Sequence, residues 1–284
     1  MLAGKIIWLC WLAVLCCDPA PAANEPPSAG GPTPETIQSF ENYVRIAETG
    51  FDAAIQGKEG FLWANTPERR ARLQRVGIIC EPRRKKNSEP IKGGLIHDWI
   101  GSVFIPGATV NQVLALLEDY NNHKHIYMPD VVDSRILERK GDVFKVRFRL
   151  YKRKIVKAVL DMDSEIRYER IGGSDWKSRS YATRVSEIAD AGSAKERELP
   201  PGRDHGYLWR LNSYWLFRER DGGVYVECEA ISLSRGIPSA LPPPIRSVIR
   251  SLPKDALKNA LSLTREAVVS GRGGASPGGP RRRR

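Results

Sequence analysis

Residues Tyr207–Ser234, YLWRLNSYWLFRERDGGVYVECEAISLS, read as one antiparallel hairpin. Asp221-Gly222 sits at its centre, and Asp-Gly marks a type I′ turn because both turn positions need positive φ. Pairing outward sets Phe217 against Val226, Trp215 against Cys228, Ser213 against Ala230 and Leu211 against Ser232. That face is largely apolar, while the other carries Arg218, Tyr214, Arg210, Glu227 and Glu229. Side chains alternate along a strand, so a one-residue slip would exchange the two faces and the register is well specified.

Val143–Tyr151 and Ile155–Met162 repeat the pattern around Lys152-Arg153-Lys154. Pairing outward predicts Leu150 against Val156, Phe148 against Ala158, Val146 against Leu160 and Phe144 against Met162. The other face then holds Lys145, Arg147, Arg149, Lys157 and Asp161. This register sets Lys145 opposite Asp161 but Arg149 opposite Lys157, and facing like charges destabilise a strand pair. Further strands are expected at Leu95–Ile105, Val131–Arg139, Ile155–Arg167 and Trp176–Ile188.

A sheet with one apolar face must cover it. Thr109 caps a helix carrying Val110, Val113, Leu114, Leu116 and Leu117. After the connector Pro238–Pro244, a long C-terminal helix carries Ile245, Val248, Ile249 and Leu252, continued by Leu257, Ala260, Leu261, Thr264 and Val268. Pro253 lacks a donor and predicts a kink or a restart there, with Ser251 as the cap. Strands in unbroken succession followed by a helix argue an α+β fold. The expected architecture is a curved antiparallel sheet of about seven strands wrapped around the C-terminal helix, with a pocket for an apolar ligand between them.

The rest of the chain organises around that unit. Met1–Ala22 reads as a signal peptide, with Lys5 in the basic region, Ile6–Cys17 as an apolar core too short for a mature span, and Ala20-Pro21-Ala22 as the cleavage site. No cysteine there follows the small residue that a lipoprotein signal needs: Cys10, Cys16 and Cys17 follow Leu9, Leu15 and Cys16. Export to the periplasm or the extracellular space is therefore expected. Residues 23–32 are a Pro/Gly/Ala linker and 33–92 an N-terminal helical extension. In that extension Thr33 and Thr66 open helices and Glu81–Pro90 reads as an exposed loop. The main domain covers 93–270, and 271–284 is a disordered basic tail ending in Arg281–Arg284.

This order resembles the helix-grip fold of START-like and polyketide cyclase-like proteins, the SRPBCC superfamily, and within it a group of exported bacterial proteins. The resemblance rests on Gly93-Gly94-Leu95-Ile96-His97-Asp98-Trp99 and on Val113–Tyr120. It also rests on Gly202-Arg203-Asp204-His205-Gly206 with Leu208–Trp215, and on Val226–Ser232. It covers roughly Gly94 to Val268. It implies the fold and a hydrophobic cavity, without naming a ligand.

The expected ligand-binding residues are Phe144, Phe148, Trp209, Leu211, Trp215 and Val226, facing the C-terminal helix. The expected partner is a lipid or other hydrophobic small molecule. No catalytic residues, cofactor or metal are expected. His123-Lys124-His125 lacks a third ligand at metal spacing, and no nucleophile motif accompanies Asp204 and His205. Two alternatives stay open. One is a cyclase- or aromatase-type enzyme using the same cavity with Asp204 and His205. The other is a basic surface protein gripping anionic membrane or a partner through Arg147, Arg149 and the tail, in keeping with a net charge of +12. Export and the lack of an aromatic–basic platform argue against nucleic acid. Two cysteines lie beyond the signal. Spacing alone carries no disulfide geometry, and Cys228 reads as a small buried side chain with Cys80 unrelated to it.

Overall fold

The computed structural model describes residues 30–57, 61–84, 86, 88–153 and 157–271. The expected signal peptide, most of the linker and the tail beyond Gly271 lie outside the described residues. The helices are α1 (Pro34–Gln56), α2 (Pro67–Val76), α3 (Val110–Glu118), α4 (His123–Ile126) and α5 (Pro243–Val269). The strands are β1 (Ile78–Pro82), β2 (Glu89–Ile91), β3 (Gly94–Pro106), β4 (Val131–Lys140) and β5 (Val143–Arg153). They continue as β6 (Lys157–Gly172), β7 (Asp175–Ala189), β8 (Arg197–Glu198), β9 (Arg210–Arg220) and β10 (Gly223–Ser234).

Helix starts follow local chemistry. Thr33 and Thr66 accept from the backbone N–H groups of Thr36 and Arg69, and Thr109 forms a reciprocal capping box with Gln112. α5 begins at Pro243, where a missing N–H is harmless. It then runs through Pro253 without the expected restart. Ser251 is not a cap: its hydroxyl donates to Val248 O at 2.9 Å within the same helix.

The strands form one antiparallel sheet in the order β1-β3-β10-β9-β7-β6-β5-β4, with β2 added to β3 and β8 to β7. The sheet has ten strands rather than about seven. The surplus comes from the N-terminal extension and one short strand. Residues expected as an exposed loop at Glu81–Pro90 instead end β1 and form β2, both of them on β3.

The β9–β10 hairpin has the expected register, Phe217 on Val226 through Leu211 on Ser232. Asp221 and Gly222 both have positive φ, 57° and 74°. The β5–β6 hairpin does not. Phe144 faces Ile166, Val146 faces Ser164, Phe148 faces Met162 and Leu150 faces Leu160, a shift of four residues from the expected pairs. An even shift keeps each side chain on its face, so alternation alone cannot decide it. Charge decides it. Arg149 now pairs with Asp161 at 2.7 and 2.9 Å, and Arg147 with Asp163 at 2.7 and 3.0 Å, both bidentate. The unfavourable Arg149–Lys157 pairing is gone.

Both faces of the sheet are covered. α5 and α3 bury one face around Trp99, Val103, Phe144, Val146, Phe217 and Val226. α1 and residues 61–65 bury the other around Phe40, Phe51, Phe61, Tyr214, Ile231 and Leu233. The sheet is thus the middle of three layers. Cys80 and Cys228 each pair with Gly101 from opposite sides of β3. Two strand spacings, about 9.6 Å, separate them, too far for a disulfide, and both are free thiols.

Candidate ligand-binding site

α5 packs on β3, β1 and β10. It comes closest at Gly101, where a Cβ would lie 2.7 Å from Leu261 Cδ1. It leaves the same face of β5, β7 and β9 only partly covered. Phe148, Leu150, Ala182, Val185, Leu211 and Trp215 share that face and are half-buried. Ile245, Ile249 and Leu252 on the first half of α5 are half-buried too. Together they make an apolar strip that neither helix closes.

The six expected residues divide. Phe148, Leu211 and Trp215 border this strip. Phe144 and Val226 have no exposed surface, so no water-sized void touches them. α3 and α5 fill that part of the interior. Trp209 lies on the opposite face, in the core under α1. β9 begins only at Arg210, so the alternation that points Leu211 and Trp215 toward α5 does not extend to Trp209. Its indole donates to Asp204 Oδ1 at 2.9 Å instead.

The strip ends in polar atoms without partners. His123 Nε2, His97 Nδ1, Trp99 Nε1 and Arg246 Nε are buried with no hydrogen-bond partner. Nearly all such buried groups in folded proteins are satisfied, so four at the margins of one strip call for an explanation. His123 stacks on Phe148 with ring centroids 6.0 Å apart. Burial lowers its pKa to about 4, against hydrogen bonds to the Leu116 and Leu117 carbonyls that raise it. His97 is likewise pushed down to about 4, by burial first and then by the charge of Arg250.

Sequence reasoning missed a second polar feature near the same end. His205 Nδ1 lies 2.5 Å from Glu187 Oε1, and the His205 backbone N–H donates to Oε2 at 2.9 Å. Glu187 faces Leu160 across the ladder and so shares the α5 face. Asp204, the expected partner of His205 in acid–base work, accepts from Gly206 N and Trp209 Nε1 and orders the loop.

The α1 face holds buried acids. Glu227 accepts from the backbone N–H groups of Trp63 and Ala64 at 2.9 and 3.0 Å, and burial raises its pKa to about 7. Glu229 is pushed up by burial and then by the adjacent carboxylate of Asp98. Asp98 accepts from the Tyr43 hydroxyl at 2.8 Å, and Arg83 donates to Glu229 at 3.1 Å. A cleft of about 480 Å³ opens beside them, lined by Tyr43, Arg83, Arg84, Lys86, Glu89 and Asp98 among others. A second of about 310 Å³ lies by Glu48 and Tyr181. Both are edged by charged side chains. None of these acids was legible as buried, because the helix that covers them is remote in sequence.

No protein-family model and no curated protein sequence matches the chain. Solved structures resemble it. A STAR-related lipid transfer protein fragment from Xanthomonas axonopodis is 17% identical, covering 68% of this chain and 99% of that one, with a TM-score of 0.44. Human STARD10 is 13% identical over 71% of this chain and 78% of that one, also at 0.44. The Zhui aromatase/cyclase from a Streptomyces species is 12% identical over 62% and 96%, at 0.43. The decisive observation is the order of elements: β3, then α3, then antiparallel strands in succession, then α5 laid back over β3. The fold is α+β, a large antiparallel sheet with a long C-terminal helix laid over it.

In this sheet three residues of the basic stripe, Lys145, Arg147 and Arg149, are paired internally. Lys145 meets Glu138 at 2.7 Å, Arg147 meets Asp163, and Arg149 meets both Asp161 and Glu196. Among the described residues no cluster of three potential metal ligands occurs.

Proposed function

We propose that this is an exported protein that holds a lipid or other hydrophobic small molecule along the strip between the START-like sheet and the first half of α5. The observation that carries the reading is the strip itself. Phe148, Leu211 and Trp215 on the sheet and Ile249 and Leu252 on α5 are all half-buried, and the strip is edged by buried polar atoms that no protein group satisfies. An elongated apolar molecule with a polar end would cover the first and satisfy the second. Export rests on the Met1–Ala22 pattern.

Native mass spectrometry of the purified protein, with organic extraction, tests this. A defined co-purifying hydrophobic molecule is expected, and Trp215→Glu is expected to lose it by placing a charge on the strip. A ligand-free mass, together with no uptake of added lipid, would overturn the reading.

The His205–Glu187 contact favours one alternative, an acid–base enzyme working on the same ligand. Glu187 orients the imidazole as a carboxylate does in general-base catalysis. If His205→Ala binds the extracted molecule but leaves its slow conversion unchanged, that alternative fails.

A further inference from the structure

The charges on α5 run against what a core helix needs. Leu257, Leu261, Thr264 and Ala267 are its buried residues. Thr264 follows Arg246 by 18 residues, about five turns, so the two share one side of the helix. Arg250 and Lys254 follow Arg246 at successive four-residue steps. The stripe is apolar where α5 is buried and cationic where it passes over the start of β3.

Contacts along β3 agree with this placement. Leu261 sits on Gly101, Lys254 Nζ lies 5.6 Å from the centre of the Trp99 ring, and the charge of Arg250 acts on His97. From 250 to 261 the helix rises about 16 Å, and from 97 to 101 the strand covers about 13 Å. Helix and strand therefore run along each other in the same direction, and Arg246 falls beyond His97, toward Ser234.

Among the described residues none of Arg246, Arg250 and Lys254 has a carboxylate within ion-pair distance. Glu187, an acid on the same face of the sheet, has both oxygens engaged by His205. Arg246 Nε–H and Trp99 Nε1–H are buried donors with no acceptor. His97 Nε2 lies 3.2 Å from Ser234 Oγ, whose own proton goes to Arg235 O. His97 Nε2 is therefore the donor, and Nδ1 is left as a buried lone pair. Three cations, two idle donors and one acceptor lie at one end of an apolar strip.

We infer that this end is a headgroup site, and that the ligand is an amphiphile with an acidic headgroup, a phosphate or a carboxylate. The inference rests on the proposed hydrophobic binding. Arg246 and Arg250 carry the anion, Trp99 donates to it, and His97 Nδ1 accepts from a headgroup hydroxyl. The chain of the amphiphile lies along Leu211, Trp215 and Phe148.

The test is titration of the full protein with 1-oleoyl lysophosphatidic acid, with monooleoylglycerol, which keeps the chain and removes the charge, and with inorganic phosphate. The charged lipid is expected to bind at least tenfold tighter than the neutral one. The double variant Arg246→Gln/Arg250→Gln is expected to bring the two to equal affinity while binding monooleoylglycerol as before, which also reports that it is folded. Equal affinity of both lipids for the unaltered protein would overturn the headgroup site and leave hydrophobic binding standing. Binding of neither would overturn both. Inorganic phosphate binding as tightly as the lysolipid would reassign the site to a free anion.

Discussion

Gly101 shows how a single residue seats an element. Its missing side chain lets Leu261 and Leu257 press against β3, where a Cβ would stand 2.7 and 3.4 Å from their methyl groups. Leu261 is fully buried and has little room to yield. Gly101→Val is therefore expected to destabilise the fold by about 1–3 kcal/mol, the usual cost of overpacking. Urea denaturation measures it, and a midpoint equal to that of the unaltered protein would show that α5 is not seated there. The glycines at the Asp221-Gly222 turn were legible in sequence, because positive φ is a local demand. The role of Gly101 was not, since the atoms that exclude a side chain lie some 160 residues away. The site divides in the same way. Phe148, Leu211 and Trp215 point where strand alternation says they should, but which of the apolar residues stay reachable depends on how far α5 extends over them.

At the scale of elements, α1 and residues 61–65 change what the strands mean. The polar face of the β9–β10 hairpin carries Glu227 and Glu229, and both are buried under the extension. Their raised pKa values, about 7 and about 8, have a consequence for stability. A carboxyl with a raised folded-state pKa binds its proton more tightly folded than unfolded. Its contribution is full below about pH 4.5 and is lost as pH rises through the folded value. His97 and His123, lowered to about 4, act oppositely: their contribution is full above about pH 6.5 and is lost as pH falls through 4. Between 4.5 and 6.5 the two effects offset each other. From pH 6.5 to 8.5 only the carboxyls act, and stability is expected to fall by about 2–3 kcal/mol. Glu229→Gln keeps a donor for Asp98 and is expected to flatten that slope. Melting curves across this range test it, and a slope unchanged by the substitution would refute the assignment.

At the scale of the whole molecule, the extension is part of the fold. α1 buries Phe40, Val44 and Phe51 against the sheet. At about 1.5–3 kcal/mol for each large apolar side chain, these three contribute about 5 kcal/mol or more, comparable with the entire stability of an ordinary domain. A chain beginning at Phe61 is expected to unfold or associate through its exposed Tyr214, Leu216, Ile231 and Leu233. Size-exclusion chromatography and circular dichroism decide this. A monomer melting at the original temperature would show that the extension is dispensable.

Local chemistry in the sequence was enough for the Thr33, Thr66 and Thr109 caps, the Asp-Gly hairpin and its register, the apolar face of each hairpin and the α+β succession of elements. Each of these depends on neighbours a few residues apart or on a period of two. Only the tertiary structure decided the β5–β6 register, because a shift by an even number leaves every face intact and the choice falls to the Arg147–Asp163 and Arg149–Asp161 pairs. It also decided that β1 and β2 join the sheet, that Trp209 turns away from α5, and that Phe144 and Val226 are sealed. Arg246 and Arg250 read as ordinary helix cations until α5 lies along β3, where Arg246 Nε is buried without an acceptor and the charge of Arg250 reaches His97.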